Sequence, residues 1–272
     1  MENIIKFGDR IKYEQLFKKP KQGASTGGLL FDRATGGAIK GSVCLYCMPT
    51  GQGKTRTGVG IACNLIREGL SVAYLTFEQR PEDIAELVLK NFQEDGETYG
   101  EVYDRLKELP LFIYQFRNDS VESVTNAVKA VKPFDAVIVD YLALPDDQIP
   151  EAYSASVVAK RMAYTMKNTA EKHNQFFFVM AQAKPKKKGD DEKFSTIDDI
   201  WISKTMPNPV DVCIIANKVD KSLINIDIVK NRSRKWNHVR IRREMEYETC
   251  RFTDISWEYE NGEEVNDYGE ER

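Results

Sequence analysis

Met48-Pro49-Thr50-Gly51-Gln52-Gly53-Lys54-Thr55 follows an apolar run from Ser42 to Cys47 and precedes a stretch of small and apolar residues with helical character. A P-loop consists of a glycine, four variable positions, then Gly-Lys-Ser/Thr. Its backbone N–H groups wrap phosphates, its lysine reaches the β and γ oxygens, and its hydroxyl holds Mg²⁺. Gly53, Lys54 and Thr55 fill the last three positions, while Met48 stands where the first glycine belongs. The tripeptide alone is a weak signal, and its setting strengthens it. Gly51 and Gly53 let backbone approach an anion closely, and the helix expected from Thr55 to Arg67 turns a positive dipole end toward it. The alternative is a glycine-rich turn between a buried strand and a helix. On the nucleotide reading, Pro49, Thr50, Gly51, Gln52, Gly53, Lys54, Thr55 and Arg56 surround the phosphates.

Downstream, three strand-like runs end on polar residues. Ser71 to Phe77 is followed by Glu78, a candidate base for a water attacking a γ-phosphate, because open α/β sheets place their chemistry at strand carboxyl ends. An ordinary loop glutamate is the alternative. Asp135 to Leu142 carries Asp140, which with Thr55 is a candidate Mg²⁺ position, since a hard cation held by a hydroxyl and phosphate needs a carboxylate nearby. Gln175 to Ala181 leads to Gln182, placed to touch a γ-phosphate or the attacking water. Helices are expected from Pro81 to Phe92, where Pro81-Glu82-Asp83 is a start signature, and from Ser120 to Val131 and Ser154 to His173.

Two basic segments follow. Lys184, Lys186, Lys187 and Lys188 lie in a charged stretch without periodicity, either a solvated excursion or a loop that neutralises nucleic-acid phosphates. Lys230 to His238, with Arg232, lies between strand-like runs Asn225 to Val229 and Val239 to Arg242. In the second run Val239 and Ile241 alternate with Arg240 and Arg242. The basic segment is either an exposed hairpin tip or a device that presents an arginine to a phosphate on another subunit.

The 272 residues suit one large α/β domain, and 39 Lys plus Arg against 42 Asp plus Glu leave a net charge of -3, so any nucleic-acid contact is local. The five cysteines, Cys44, Cys47, Cys63, Cys213 and Cys250, lie mostly in apolar runs, as expected of reduced, buried thiols in a cytosolic protein. Cys44 and Cys47 form a CxxC inside a strand, where alternation sends side chains to opposite faces and disfavours a shared metal. No apolar run reaches membrane-spanning length, so no membrane partner is expected. Residues 1–23 are expected as an arm, frayed or docking on a neighbouring copy, 24–257 as the domain, and 258–272 as an acidic disordered tail.

In order along the chain, these stations resemble the ATPase domain of bacterial and phage replicative DNA helicases of DnaB type, within the wider RecA-like group. Thr26-Gly27-Gly28 through Asp32 and Thr35-Gly36-Gly37 look like that family's opening motif. Pro49 to Thr55 is similar to its phosphate loop, where the first glycine is often absent. Leu75-Thr76-Phe77-Glu78 resembles its catalytic-glutamate strand, Val137 to Leu142 its Asp-Tyr-Leu metal strand, and Ala181-Gln182 its γ-phosphate sensor. Asp211 falls in a segment like its Ala-Asp strand, Lys230-Asn231-Arg232 in one like its Lys-x-Arg finger, and Arg251-Phe252 in one like its closing strand.

The resemblance implies a RecA-like P-loop NTPase fold: α/β, a mostly parallel central sheet flanked by helices, with a C-terminal antiparallel strand or hairpin extension. It implies an ATP- and Mg²⁺-dependent motor on single-stranded DNA, acting as a homo-oligomeric ring, a hexamer in this family, with a primase or helicase loader as further partner. Glu78, Lys54 and Gln182 would act in one subunit and Lys230 and Arg232 from the next. Where the family's DNA-contacting loop reads Asp-Leu-Arg-x-Ser-Gly, this chain has Asp199-Ile200-Trp201-Ile202-Ser203-Lys204. Ser203 and Lys204 join the lysine loop as candidate DNA contacts, Lys204 as a point charge in place of the missing arginine. A RecA-like recombinase or KaiC-like ATPase, and a nucleotide-binding partner without turnover, are the competing functions.

Overall fold

The strands form where short runs rich in Val, Ile, Phe and Tyr are flanked by turn residues. A computed structural model of the chain describes residues 22–116, 121–130, 134–142, 155–187, 189–190, 192–201, 203–232 and 236–259. The strands are β1 (Val43–Met48), β2 (Val72–Thr76), β3 (Leu111–Gln115), β4 (Ala136–Leu142), β5 (Phe176–Gln182), β6 (Val212–Lys218), β7 (Leu223–Asn231), β8 (Val239–Glu246) and β9 (Arg251–Tyr259). They make one sheet of order β3-β2-β4-β5-β1-β6-β7-β8-β9. Every pairing from β3 to β6 is parallel. From β6 to β9 the chain doubles back in antiparallel hairpins. The mostly parallel sheet with an antiparallel C-terminal extension is thus the observed architecture.

The helices among the described residues are α1 (Leu29–Thr35), α2 (Lys54–Arg67), α3 (Pro81–Phe92), α4 (Tyr99–Leu106), α5 (Val121–Ala130) and α6 (Ala155–His173). They cover both faces, so the parallel strands are buried on each side and read as continuous apolar runs. Cys44, Tyr46 and Met48 enter the core beneath α2 and α3, whereas Val43, Leu45 and Cys47 enter the core beneath α5 and α6. Cys44 and Cys47 therefore face opposite layers. All five thiols are free and buried, and burial pushes Cys63 up to about 12. No helix among the described residues is long and apolar enough to cross a membrane.

The opening glycines work locally. Asp32 accepts the Thr26 N–H at 3.0 and 3.1 Å, and Asn64 of α2 donates to the Thr26 carbonyl at 3.0 Å. Gly27, at φ +93°, lies so close to Asn64 that a Cβ would come within 1.8 Å of its amide. The segment is thereby strapped to the helix that follows the phosphate loop.

Three features differ from expectation. Helix α4 has too few residues for a clear apolar period, yet a Thr98/Glu101 capping box starts it. On β8, Arg240 points away from Ile241 but not into water, being 1% exposed and paired with Asp227 at 2.7 Å. Glu258 and Tyr259, expected in the acidic tail, belong to β9, because Tyr259 stacks on Trp236 at 6.3 Å and Glu258 pairs with Arg242 at 3.5 Å. Residues 1–21 of the expected arm, 260–272 of the expected tail, and Lys188 lie outside the described residues.

Candidate active site

Parallel register brings the polar strand ends to one edge. Thr76 of β2 stands beside Asp140 of β4, and Met48 of β1 beside Gln182 of β5. A cleft of about 800 Å³ opens there, lined among others by Thr50, Gly51, Lys54, Thr55, Arg56 and Glu78. Gly51 and Gly53 adopt φ +74° and +108°, a region that favours glycine. Gly53 is required twice, since a Cβ there would come within 2.6 Å of the Tyr247 ring. It is also the N-cap of α2 and no side chain caps that helix, so the first-turn N–H groups are left for a ligand.

Lys54 is 8% exposed. Its ammonium donates to the Met48 and Pro49 carbonyls at 3.1 and 3.3 Å and lies 5.1 Å from the Tyr141 ring centroid. Burial pushes its pKa down, opposed by the negative charges of Asp140 and Glu78. Gln52 braces the loop from outside: its side chain accepts the Lys218 N–H at 2.9 Å and its carbonyl accepts the Tyr247 hydroxyl at 3.2 Å. Arg56 donates to the Tyr247 carbonyl.

Asp140 is 3% exposed. Burial raises its pKa, opposed by hydrogen bonds from Tyr74 and Thr55, while the charge of Glu78 raises it further. The Tyr74 bond measures 2.8 Å. Thr55 and Asp140 therefore meet as a pair of oxygen donors beside the lysine, a set that suits Mg²⁺ bound with a phosphate. Glu78 is presented by a turn that Thr76 organises, its hydroxyl accepting the Gln79 N–H at 3.0 Å and donating to the Gln79 carbonyl at 2.9 Å. Neither Tyr74 nor Thr76 stood out in the sequence. The signal available for Thr76 was a Thr-x-x turn at a strand end.

The other expected residues fall outside this cleft. Gln182 ends β5 one strand away, and Trp201 donates its N–H to the Gln182 carbonyl at 3.0 Å. Lys230 donates to the Pro207 and Asn208 carbonyls at 2.5 and 3.0 Å, and Arg232 to the Asn208 carbonyl at 2.6 Å. Burial and the neighbouring Arg232 charge lower the Lys230 pKa. Because β7 runs against β6 with Val212 opposite Asn231, these two cations sit at the amino end of β6, at the opposite edge of the sheet from the phosphate loop.

Among the candidate DNA contacts, Lys184 and Lys187 are exposed and Lys186, which donates to the Lys193 carbonyl, is half-buried. Lys184 donates to the Asp198 carbonyl at 2.7 Å and Lys204 pairs with the Asp198 carboxylate at 2.7 Å, so the two segments converge. Ser203 does not present its hydroxyl outward. It is 8% exposed, and its oxygen lies 3.0 Å from that of Ser156 and 2.9 Å from that of Thr205.

Sheet order, helices on both faces and the antiparallel extension define a RecA-like α/β domain of the P-loop NTPase class. Solved structures of the same fold include a helicase ATPase domain, at a TM-score of 0.72 and 14% identity over 89% of this chain and 95% of that one. A DnaB-like replicative helicase, described with its interactions with primase, matches at 0.70 and 14% over 87% of this chain and 63% of that one. The RadB recombinase matches at 0.62 and 18% over 86% of this chain and 100% of that one. No protein-family model matches. At such identities the likeness is one of fold, shared by DnaB-type helicase ATPase domains and a recombinase.

Proposed function

We propose that this chain is the ATP-hydrolysing motor of a DnaB-type DNA helicase, moving along single-stranded DNA as a homo-oligomeric ring in the cytosol. The observation that carries the reading is the convergence of Lys54, Thr55, Asp140 and Glu78 on one cleft of a RecA-like sheet. Lys54 and the amides from Gly51 to Thr55 bind the phosphates, with Pro49, Thr50, Gln52 and Arg56 shaping the loop around them. Thr55 and Asp140 would hold Mg²⁺, which neutralises charge on the transferring phosphoryl group when bound. Glu78 accepts the proton of the water that attacks the γ-phosphorus, and Gln182 reports the γ-phosphate from the end of β5. Arg232, with Lys230, acts on the nucleotide of a neighbouring copy. Lys184, Lys186, Lys187 and Lys204 contact DNA phosphates, and Lys188 belongs to the same stretch of sequence. The arm at residues 1–23 clasps the next subunit, the ring is a hexamer, and a primase or loader is its partner in replication.

The match over the whole of the RadB recombinase favours, as a second reading, an ATPase that binds DNA without unwinding it. Strand displacement on forked DNA, measured with ATP and with Lys54→Ala as control, separates the two. ATP-dependent displacement supports the motor, DNA-stimulated hydrolysis without displacement supports the recombinase-like alternative, and nucleotide binding without turnover at any protein concentration leaves only a non-catalytic ring partner.

A further inference from the structure

The chain has three tryptophans. Trp236 and Trp257 stack on each other with centroids 5.2 Å apart, while Trp201 is 59% exposed. Its backbone is nonetheless fixed. Trp201 donates its N–H to the Gln182 carbonyl at 3.0 Å, Lys184 donates its own to the Asp199 carbonyl at 2.7 Å, and Ile200 bridges to Ala183. The ring therefore projects from a rigid extension of β5 and not from a free loop tip.

Its surroundings are those of a polyanion contact. Lys184 and Lys187 are exposed nearby in sequence, and Lys204 is 59% exposed. Acids are interspersed but matched internally. Asp198 pairs with Lys204 at 2.7 Å, Asp190 with Lys193 at 2.7 Å, and Glu192 with Arg242 at 3.1 Å. Asp199 accepts the Thr196 N–H at 2.7 Å. Each lysine ammonium has three donors, more than these single contacts use.

We propose that Trp201 is a stacking platform for a base of single-stranded DNA, with Lys184, Lys187 and Lys204 holding the flanking phosphates. The inference rests on the DNA-translocating reading and gives its DNA surface a base contact. Where the resembling family has an arginine directed at the backbone, this chain has a ring, which grips any base through its π-face and reads no sequence.

The test is binding of the full chain, with a non-hydrolysable ATP analogue, to an oligothymidylate and to an abasic strand of equal length, over a range of salt. Trp201→Ala should weaken oligothymidylate binding roughly ten- to a hundredfold with an unchanged salt slope, while Trp201→Phe retains most of the affinity. Lys204→Ala should instead lower the slope by about one. Wild type should bind the abasic strand about as weakly as Trp201→Ala binds oligothymidylate. Tryptophan quenching by DNA should disappear in Trp201→Phe, and circular dichroism confirms that each variant is folded. Equal binding of both strands by wild type and Trp201→Ala would overturn the platform while leaving the DNA reading intact. Failure of wild type to bind either strand at low salt would overturn both.

Discussion

Asp140 shows why a buried acid at a strand end is both a functional signal and a stability problem. Its position was legible in Asp135 to Leu142 because an apolar run ending in a carboxylate has few structural uses. Its partner Tyr74 was not legible, since the two are joined across the sheet and not along the chain. Burial raises the carboxyl above its ordinary 3.8, so the folded state holds a proton that the unfolded chain releases more readily. The stabilising effect of that proton is full below about pH 3.8 and is lost as pH rises through the higher folded value. Asp140→Asn removes this term. In thermal melts without nucleotide from about pH 4 to pH 8, the variant should lose less stability than wild type as pH rises. Asp32, also raised by burial, changes both proteins alike and cancels in the comparison. Mg²⁺ with an ATP analogue should raise the melting temperature of wild type more than that of Asp140→Asn, through mass action on the folded state. A steeper pH loss in the variant would show that the carboxylate is solvated in the fold.

At the scale of elements, the parallel strands and the longer helices were readable because each carries an uninterrupted apolar run or a clear start signature. The antiparallel extension was only half readable. Its apolar residues showed strands, but not that the face bearing Arg240 is covered. Arg240 donates to the Glu192 and Lys193 carbonyls at 2.8 Å each and packs 4.2 Å from the Phe194 ring, while Asp227 accepts the Ser195 N–H at 2.7 Å. The ion pair thus ties the far stem of the lysine segment to β7 and β8. Asn217 of β6 donates to the Ser195 hydroxyl at 3.0 Å, next in sequence to Lys218, whose N–H reaches Gln52 of the phosphate loop. Such long-range pairings leave no local pattern. Asp227→Ala strands a buried guanidinium and should destabilise the chain by about 3–5 kcal/mol, read as a shift in urea midpoint. Replacing both partners by leucine should recover most of that loss, since it removes the uncompensated charge. If Asp227→Ala costs less than about 1 kcal/mol, water reaches Arg240 and the pair does not anchor the segment.

For the whole molecule, the decisive geometry is the separation of Arg232 from the phosphate loop. The loop leaves the carboxyl end of β1, and Arg232 lies at the amino end of the adjoining β6, about 16 Å away by strand rise alone. Within one copy the guanidinium is held by the Asn208 carbonyl and faces away from the cleft. If it acts on ATP at all, it does so on a neighbour's, so catalysis becomes a property of assembly. Mixing two inactive variants tests this directly. Arg232→Ala supplies Glu78 but no finger, and Glu78→Gln supplies the finger but no base. Arg232→Ala alone should fall by roughly 10³- to 10⁵-fold if the arginine stabilises the transition state. In a randomly mixed ring, an interface works only when an Arg232→Ala subunit offers its cleft to a Glu78→Gln neighbour. The working fraction follows the product of the two mole fractions, so activity should peak at equal amounts near one quarter of wild type if interfaces fire independently. A bell-shaped mixing curve would identify a shared site. Activity near zero at every ratio, with both variants shown by size to co-assemble, would place the whole catalytic set within one subunit and remove Arg232 from it.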